Sequence, residues 1–187
     1  MIKDLKFNIV KLQRDCALFG IILFNDSHPH IVKLLKDNDY YKALDELSGS
    51  HLAIFATVLF KPALVEPPPG VVHHMVPIWK EPKQNTKLFN LFEIKDSGSL
   101  PMFVLFNGQG SDLYFQKHPI IDTSIEETWN SLKEIIEPIV KSIDKNLEEE
   151  MPEIFKKAQW QMRRVTAKNV VKRILGLVGS LRGIAGI

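Results

Sequence analysis

An uninterrupted run of uncharged residues at positions 18–24, Leu-Phe-Gly-Ile-Ile-Leu-Phe, constrains the fold of this chain more than any other feature of its sequence. The run ends at Asn25-Asp26-Ser27, residue types that favour turns. A continuous apolar pattern of this length is typical of a central strand in a mostly parallel sheet, which is buried on both faces. The sequence therefore predicts an α/β protein whose sheet lies between layers of helices.

Local patterns predict the elements that follow. Residues 30–47 have helical spacing of apolar side chains, which Asp37-Asn38-Asp39 should divide and Gly49 should stop. Thr123 and Glu126 match a capping box that opens a later helix. Pro138 should bend that helix. The other predicted elements are strands at residues 5–12, 51–60, 100–106 and 112–115 and a short helix at residues 87–94.

Residues 61–86 differ in composition from the rest of the chain, because they hold six of its eleven prolines. We interpret this segment as an irregular insertion with polyproline II stretches. It is either a docking segment for a partner or a long loop. Trp79 and Val71-Val72 would be unusual in a fully solvated loop, so they favour packing against the domain or against a partner.

The order of these elements resembles the thioredoxin fold. In that family a buried strand leads to a helix whose N-terminus bears a Cys-x-x-Cys motif, and a later cis-proline opens the strand that faces it. Here Ser27-His28-Pro29-His30 stands where Cys-Gly-Pro-Cys would stand, with Pro29 in register, and Pro101 opens the later strand. The resemblance covers about residues 5–143.

The resemblance implies an α/β, thioredoxin-like three-layer sandwich with a Pro-rich insertion and a C-terminal helical extension. We expect a thioredoxin-like domain at residues 1–145 and a basic amphipathic helical tail at residues 146–187. It also predicts a cis peptide bond between Leu100 and Pro101, which is an uncommon state for an X–Pro bond.

Only one cysteine, Cys16, is present in the 187 residues, so the chain cannot form an intrachain disulfide. The resemblance therefore implies a redox-inactive member that is not a dithiol oxidoreductase. Cys16 precedes the buried strand instead of opening a helix, which favours an inert buried thiol.

Ser27 and the nearby histidines are the candidates for chemistry. The hydroxyl of Ser27 is expected to cap the following helix, and the alternative is a nucleophile with His28 or His30 as its base. His28 and His30 could join His73-His74 in a zinc site, but without carboxylates or thiolates we expect no metal and no cofactor. The alternative to an interaction module is an enzyme or small-ligand binder that uses Ser27, His28, Pro29, His30 and Pro101 as a cleft.

Charge is divided unequally along the chain. Residues 153–187 hold eight basic side chains and one acid, a net charge of +7, so the other 152 residues carry a net charge of −5. Apolar residues at positions 154, 155, 158, 162 and 165 form one helical stripe, and a second stripe follows from residue 170. The side chains predicted to make the tail interaction are Arg163, Arg164, Lys168, Lys172, Arg173, Val170, Ile174, Leu175, Val178 and Leu181.

Three interpretations of the tail remain open. It docks into a larger protein or RNA assembly; it lies on an anionic membrane surface or self-associates through the Gly179-x-x-x-Gly183 spacing; or it packs back on the acidic domain or frays. Few aromatic residues accompany its basic residues, so sequence-specific nucleic-acid binding is not expected. We expect a non-catalytic interaction or scaffold module that its tail anchors to a protein assembly; whether it has a small-molecule substrate is unknown.

Bulk composition bears on the cellular compartment. The 45% hydrophobic and 25% charged fractions are those of an ordinary globular protein. The first residues carry no apolar signal region, and the longest uncharged apolar stretches fall well short of the roughly 20 residues of a membrane span. We expect an intracellular protein of the cytoplasm or an organelle matrix.

Overall fold

The structure is a computed structural model that describes residues 18–57, 83–109 and 112–184; for the helical residues 169–184 it describes the backbone alone. The predicted strand at residues 5–12, Cys16 and most of the Pro-rich insertion lie outside the described residues. The described elements are β1 (Leu18–Leu23), α1 (Pro29–Lys36), α2 (Asn38–Ser48), β2 (Leu52–Ala56), α3 (Lys83–Leu91), a 3-10 turn (Ser97–Ser99), β3 (Met102–Gln109), β4 (Asp112–Pro119), α4 (Ile125–Asp144) and α5 (Met151–Ile184).

The four strands form one mixed sheet in the order β2-β1-β3-β4. β1 is parallel to β2, with Leu18 opposite Leu52, and antiparallel to β3, with Leu23 opposite Met102. β3 and β4 form an antiparallel hairpin. The predicted α/β class is confirmed at this level, because a mixed sheet alternates with helices along the chain.

Every residue of β1 is buried, as its sequence predicts. Its side chains alternate between two hydrophobic clusters on opposite faces of the sheet. Leu18 and Ile22 join the cluster that includes residues of α1, α2, α4 and α5. Phe19, Ile21 and Leu23 join the cluster that α3 covers. The sheet therefore lies between two helical layers, which is compatible with an α/β sandwich.

Gly20 lies against the ring of Phe103, which belongs to the cluster on the α1, α2, α4 and α5 side of the sheet. A Cβ atom at this position would lie 2.4 Å from Cζ of the Phe103 ring. Phe103 is fully buried, so its ring has no open space into which it could move. Glycine is required here because the ring of Phe103 occupies the space of its side chain.

Two observed helix boundaries agree with those predicted from the sequence, and two differ from them. Asp37 separates α1 from α2: its carboxylate accepts a hydrogen bond from the amide of Asp39 at 2.9 Å, and Gly49 ends α2 with φ 63°. The predicted capping box is wrong by one residue, because Ser124 is the residue with extended backbone and its hydroxyl accepts from the amide of Glu127 at 3.1 Å. α3 begins at Lys83, four residues before the predicted position and inside the predicted insertion.

The first half of α5 belongs to the same core as the sheet. The first predicted stripe is buried in the cluster that includes residues of α1, α2 and α4: Ile154, Phe155, Ala158 and Met162. The Phe155 ring lies 6.3 Å from that of Tyr114 on β4. The core thus extends across residue 146, where we placed the start of the tail.

We expect Gly20→Ala to lower the free energy of unfolding by about 1–3 kcal/mol, because the new methyl group overpacks the ring of Phe103. In a Phe103→Leu background the same change should cost less, since the ring atoms at 2.4 Å and 2.7 Å are gone. Denaturant unfolding of the four proteins measures the coupling. The matched control is Gly98→Ala, an exposed glycine where an added Cβ would come no closer than 3.0 Å to the Asp96 side chain, so the change should cost less than Gly20→Ala. Equal costs of Gly20→Ala in both backgrounds would contradict this explanation.

Candidate functional site

The turn between β1 and α1 is held by Asn25. Its side-chain Oδ1 accepts hydrogen bonds from the Ser27 amide at 3.1 Å and from the Ser27 hydroxyl at 2.5 Å. Its carbonyl accepts from the His28 amide at 3.2 Å. The prediction that Ser27 caps α1 is wrong, because the N-cap residue is His28 and the Ser27 hydroxyl is turned back to Asn25.

His28 is also tied to Asn25. Its Nδ1 accepts a hydrogen bond from the Asn25 amide at 3.2 Å. The Ser27 hydroxyl donates to an amide oxygen instead of an imidazole nitrogen. A serine nucleophile requires the opposite arrangement, in which the hydroxyl donates to its base. His30 is partly exposed in the first turn of α1.

A carboxylate from a distant part of the chain caps α1. Asp122 Oδ1 accepts from the Ile31 amide at 2.8 Å and from the Thr128 hydroxyl at 3.1 Å. The negative charge is favourable at a helix N-terminus. Asp122 precedes α4, so this contact ties the beginning of α1 to the beginning of α4. Sequence analysis missed Asp122 because its partner is 91 residues away and no local pattern connects them.

Pro101 lies at the same end of the sheet as the Ser27–His30 turn. The antiparallel register of β1 and β3 places Leu23, the last residue of β1, opposite Met102, the first residue of β3. Pro101, which directly precedes β3, therefore lies beside the carboxyl end of β1. The Leu100–Pro101 peptide bond is cis, as predicted. The Pro101 carbonyl accepts from the Ile120 amide at 2.9 Å, which fixes the segment before β3 against the end of β4. The sheet therefore brings the Ser27–His30 turn and the Pro101 segment to the same end of its two central strands.

Two cavities lie away from this end of the sheet. One of about 580 Å³ lies between α4 and α5, and one of about 260 Å³ lies beside α2 and β2. None of Ser27, His28, Pro29, His30 or Pro101 lines either of them. Within residues 18–57, 83–109 and 112–184, no three His, Cys, Asp or Glu side chains come together as metal ligands. His73 and His74 lie outside the described residues.

Three exposed basic residues of α5 follow Met162, the last of its described residues that is buried. Met162 is buried, whereas Arg163, Arg164 and Lys168 are exposed. The Arg164 guanidinium lies 4.5 Å from the centre of the Trp160 ring, within cation–π distance. α5 then continues as a helix to Ile184. The other predicted tail residues lie on this continuation, where the backbone alone is described: Lys172, Arg173, Val170, Ile174, Leu175, Val178 and Leu181.

No protein-family model matches this chain, and no curated protein or solved structure matches it either. The described helices include none that is both long enough and apolar enough to cross a lipid bilayer. The function must therefore be argued from the contacts and charges of the chain itself.

We expect Asp122→Ala to lower the free energy of unfolding by about 1.5–3 kcal/mol, because it removes a charged acceptor from the Ile31 amide. Hydrogen exchange should show a less protected Ile31 amide in this variant. Asp26→Ala, in the neighbouring turn, serves as the control and should change stability by no more than about 0.5 kcal/mol. Unchanged exchange at Ile31 in Asp122→Ala would show that the carboxylate does not cap α1.

Proposed function

We propose that this protein is a non-catalytic, thioredoxin-like interaction module and that the distal half of α5, residues 166–184, anchors it in a larger protein assembly. The observation that carries the proposal is the length of α5. This helix has 34 residues, and among its described side chains, which end at Lys168, the last buried one is Met162 and the last that packs against the core is Val165.

The order of elements supports the thioredoxin-like part of the proposal. β1 leads directly into α1, the Pro101 segment opens β3, the β3–β4 hairpin follows, and α4 covers the sheet. Under this proposal, Ser27-His28-Pro29-His30 at the N-terminus of α1 corresponds to the family's Cys-x-x-Cys motif.

The contacts around that motif support binding over chemistry. The Ser27 hydroxyl and the His28 Nδ1 both make hydrogen bonds to Asn25, and Asp122 accepts from the first turn of α1. A carboxylate at the helix N-terminus opposes a second negative charge there, such as a thiolate or an alkoxide. These contacts use the groups that a nucleophilic mechanism would need.

The sequence of the distal half of α5 supports an anchoring role. It contains Gly176, Gly179 and Gly183, and each glycine weakens an isolated helix by roughly 1 kcal/mol relative to alanine. Its second apolar stripe and its basic residues provide a surface that a partner can cover. A helix of this composition is expected to need a partner for its stability.

The test compares the full-length chain with a chain that ends at Lys168. Removing all residues from 148 would also remove Ile154, Phe155, Ala158 and Met162 from the core, so the cut must lie after Lys168. The chain ending at Lys168 should unfold with a melting temperature within a few degrees of full length, because it keeps the described core residues of α5, Ile154, Phe155, Ala158 and Met162. Affinity purification from the native source should recover the assembly with full length and lose it with the truncated chain.

A full-length variant, Lys172→Glu/Arg173→Glu, provides the second arm. It should lose the same partners, because charge reversal on a helix surface opposes an acidic partner. If the chain ending at Lys168 still associates fully, the anchoring role is wrong. If full length instead binds phosphatidylserine vesicles and recovers no protein, the membrane interpretation replaces the assembly.

A further inference from the structure

A groove of about 580 Å³ runs between α4 and α5 on the outer surface of the helical layer, and we call it the α4–α5 groove. Pro138 and Ser142 line its α4 side, and Trp160 and Gln161 line its α5 side. This volume is within the range of about 300–1,000 Å³ that ligand sites occupy. The groove lies on the opposite side of α4 from the residues that face the sheet, such as Leu132 and Ile136.

Trp160 is the apolar wall of the groove. It is 55% exposed, although the neighbouring Ala158 and Met162 are buried. The Arg164 guanidinium at 4.5 Å from the ring centre holds the indole from one side. A partly fixed, exposed tryptophan is the residue type that most often supplies binding energy at protein interfaces.

Four lysines surround this wall: Lys141, Lys145, Lys156 and Lys157 line the groove together with a single acid, Glu137. The other two acids that contact them, Glu149 and Glu153, lie outside the lining. Counted with these two acids, the four lysines and three carboxylates leave a net charge of +1, which is complementary to an acidic ligand.

Three of the lysines already bind carboxylates in a manner that a ligand can imitate. Lys141 Nζ lies 2.7 Å from Glu137 Oε1, Lys156 Nζ lies 2.6 Å from Glu153 Oε1, and Lys157 pairs with Glu149. The lysines at 141 and 156 hold the pKa of Glu137 and of Glu153 below its ordinary value. All six side chains are exposed, so these are weak pairs that a ligand carboxylate can replace.

We propose that the α4–α5 groove binds an acidic peptide segment of a partner protein, with an apolar side chain of that segment seated against Trp160. The proposal rests on the proposed function as an interaction module and names the chemistry of its partner. Nucleic acid fits less well, because Trp160 is the single aromatic side chain in the described lining and single strands stack on successive rings.

The experiment uses the full-length protein and fluorescent synthetic peptides. The first probe is a glutamate–glycine peptide with one central leucine, the second has glycine in place of the leucine, and the third has lysine in place of each glutamate. Fluorescence anisotropy should show that the first probe binds at least about tenfold more tightly than the other two. Added salt should weaken this binding, because the lysines are exposed.

Variants assign the binding to the groove. Trp160→Ala and Lys141→Ala/Lys145→Ala should each weaken binding of the first probe at least about tenfold. Two controls should leave it unchanged: Tyr41→Ala, an exposed aromatic on α2, and Lys33→Ala/Lys36→Ala, two exposed lysines on α1. Circular dichroism melting verifies that each variant is folded.

Three results would overturn the proposal. The first is that the first probe binds no better than the other two, and the second is that the groove variants bind it as well as the parent protein. The third is that a uridine oligonucleotide or a phosphatidylserine vesicle binds at Trp160 with higher affinity than the peptide. Loss of peptide binding only in Lys33→Ala/Lys36→Ala would reject the groove while leaving the anchoring role of α5 intact. Normal peptide binding by a chain that fails to recover its assembly partners would support the groove independently of that role.

Discussion

Burial of β1 on both faces is the constraint on which the rest of this structure depends. Its residues alternate between two hydrophobic clusters, so the strand is stable only when helices cover both sides of the sheet. It also pairs with β2 on one side and with β3 on the other. Gly20 lets the Phe103 ring close against it, and the carboxyl end of the strand delivers the Asn25 turn to the start of α1. The candidate site therefore sits where it does because of β1.

Much of this arrangement could be predicted from sequence, because its signals are local. A continuous apolar run predicts β1, and an aspartate between two helical patterns predicts the break at Asp37. Capping was harder to predict. The Thr123-Ser124 pair fits a capping box in two registers, and only the backbone geometry selects Ser124. α1 is capped by Asp122 from far along the chain, so Ser27 was assigned a role that another residue performs. The early start of α3 was missed because residues 83–86, Lys-Gln-Asn-Thr, have no apolar periodicity.

We predicted one appendage from residue 146, but α5 is a single helix whose first stripe belongs to the core. The first apolar stripe of α5 completes the core. Two side chains of α5 also contact β4: the Phe155 ring packs near Tyr114, and Gln159 Nε2 donates a hydrogen bond to Gln116 Oε1 at 3.1 Å. Its outer surface, with Trp160, forms one wall of the α4–α5 groove. Arg163, Arg164 and Lys168 are exposed beyond Met162 and add positive charge to this part of the helix. Because the inner half is fixed by the core, a partner bound to the outer half would be held at a defined orientation to the domain.

Hydrogen exchange along α5 tests this division most directly. In the isolated full-length protein, amides of residues 155–165 should exchange as slowly as those of β1 and β3, since the same core protects them. Amides of residues 169–184 should exchange at least about tenfold faster and should become protected when the protein is in its assembly. One uniform exchange rate along the whole of α5 in the isolated protein, with no change on association, would contradict the account.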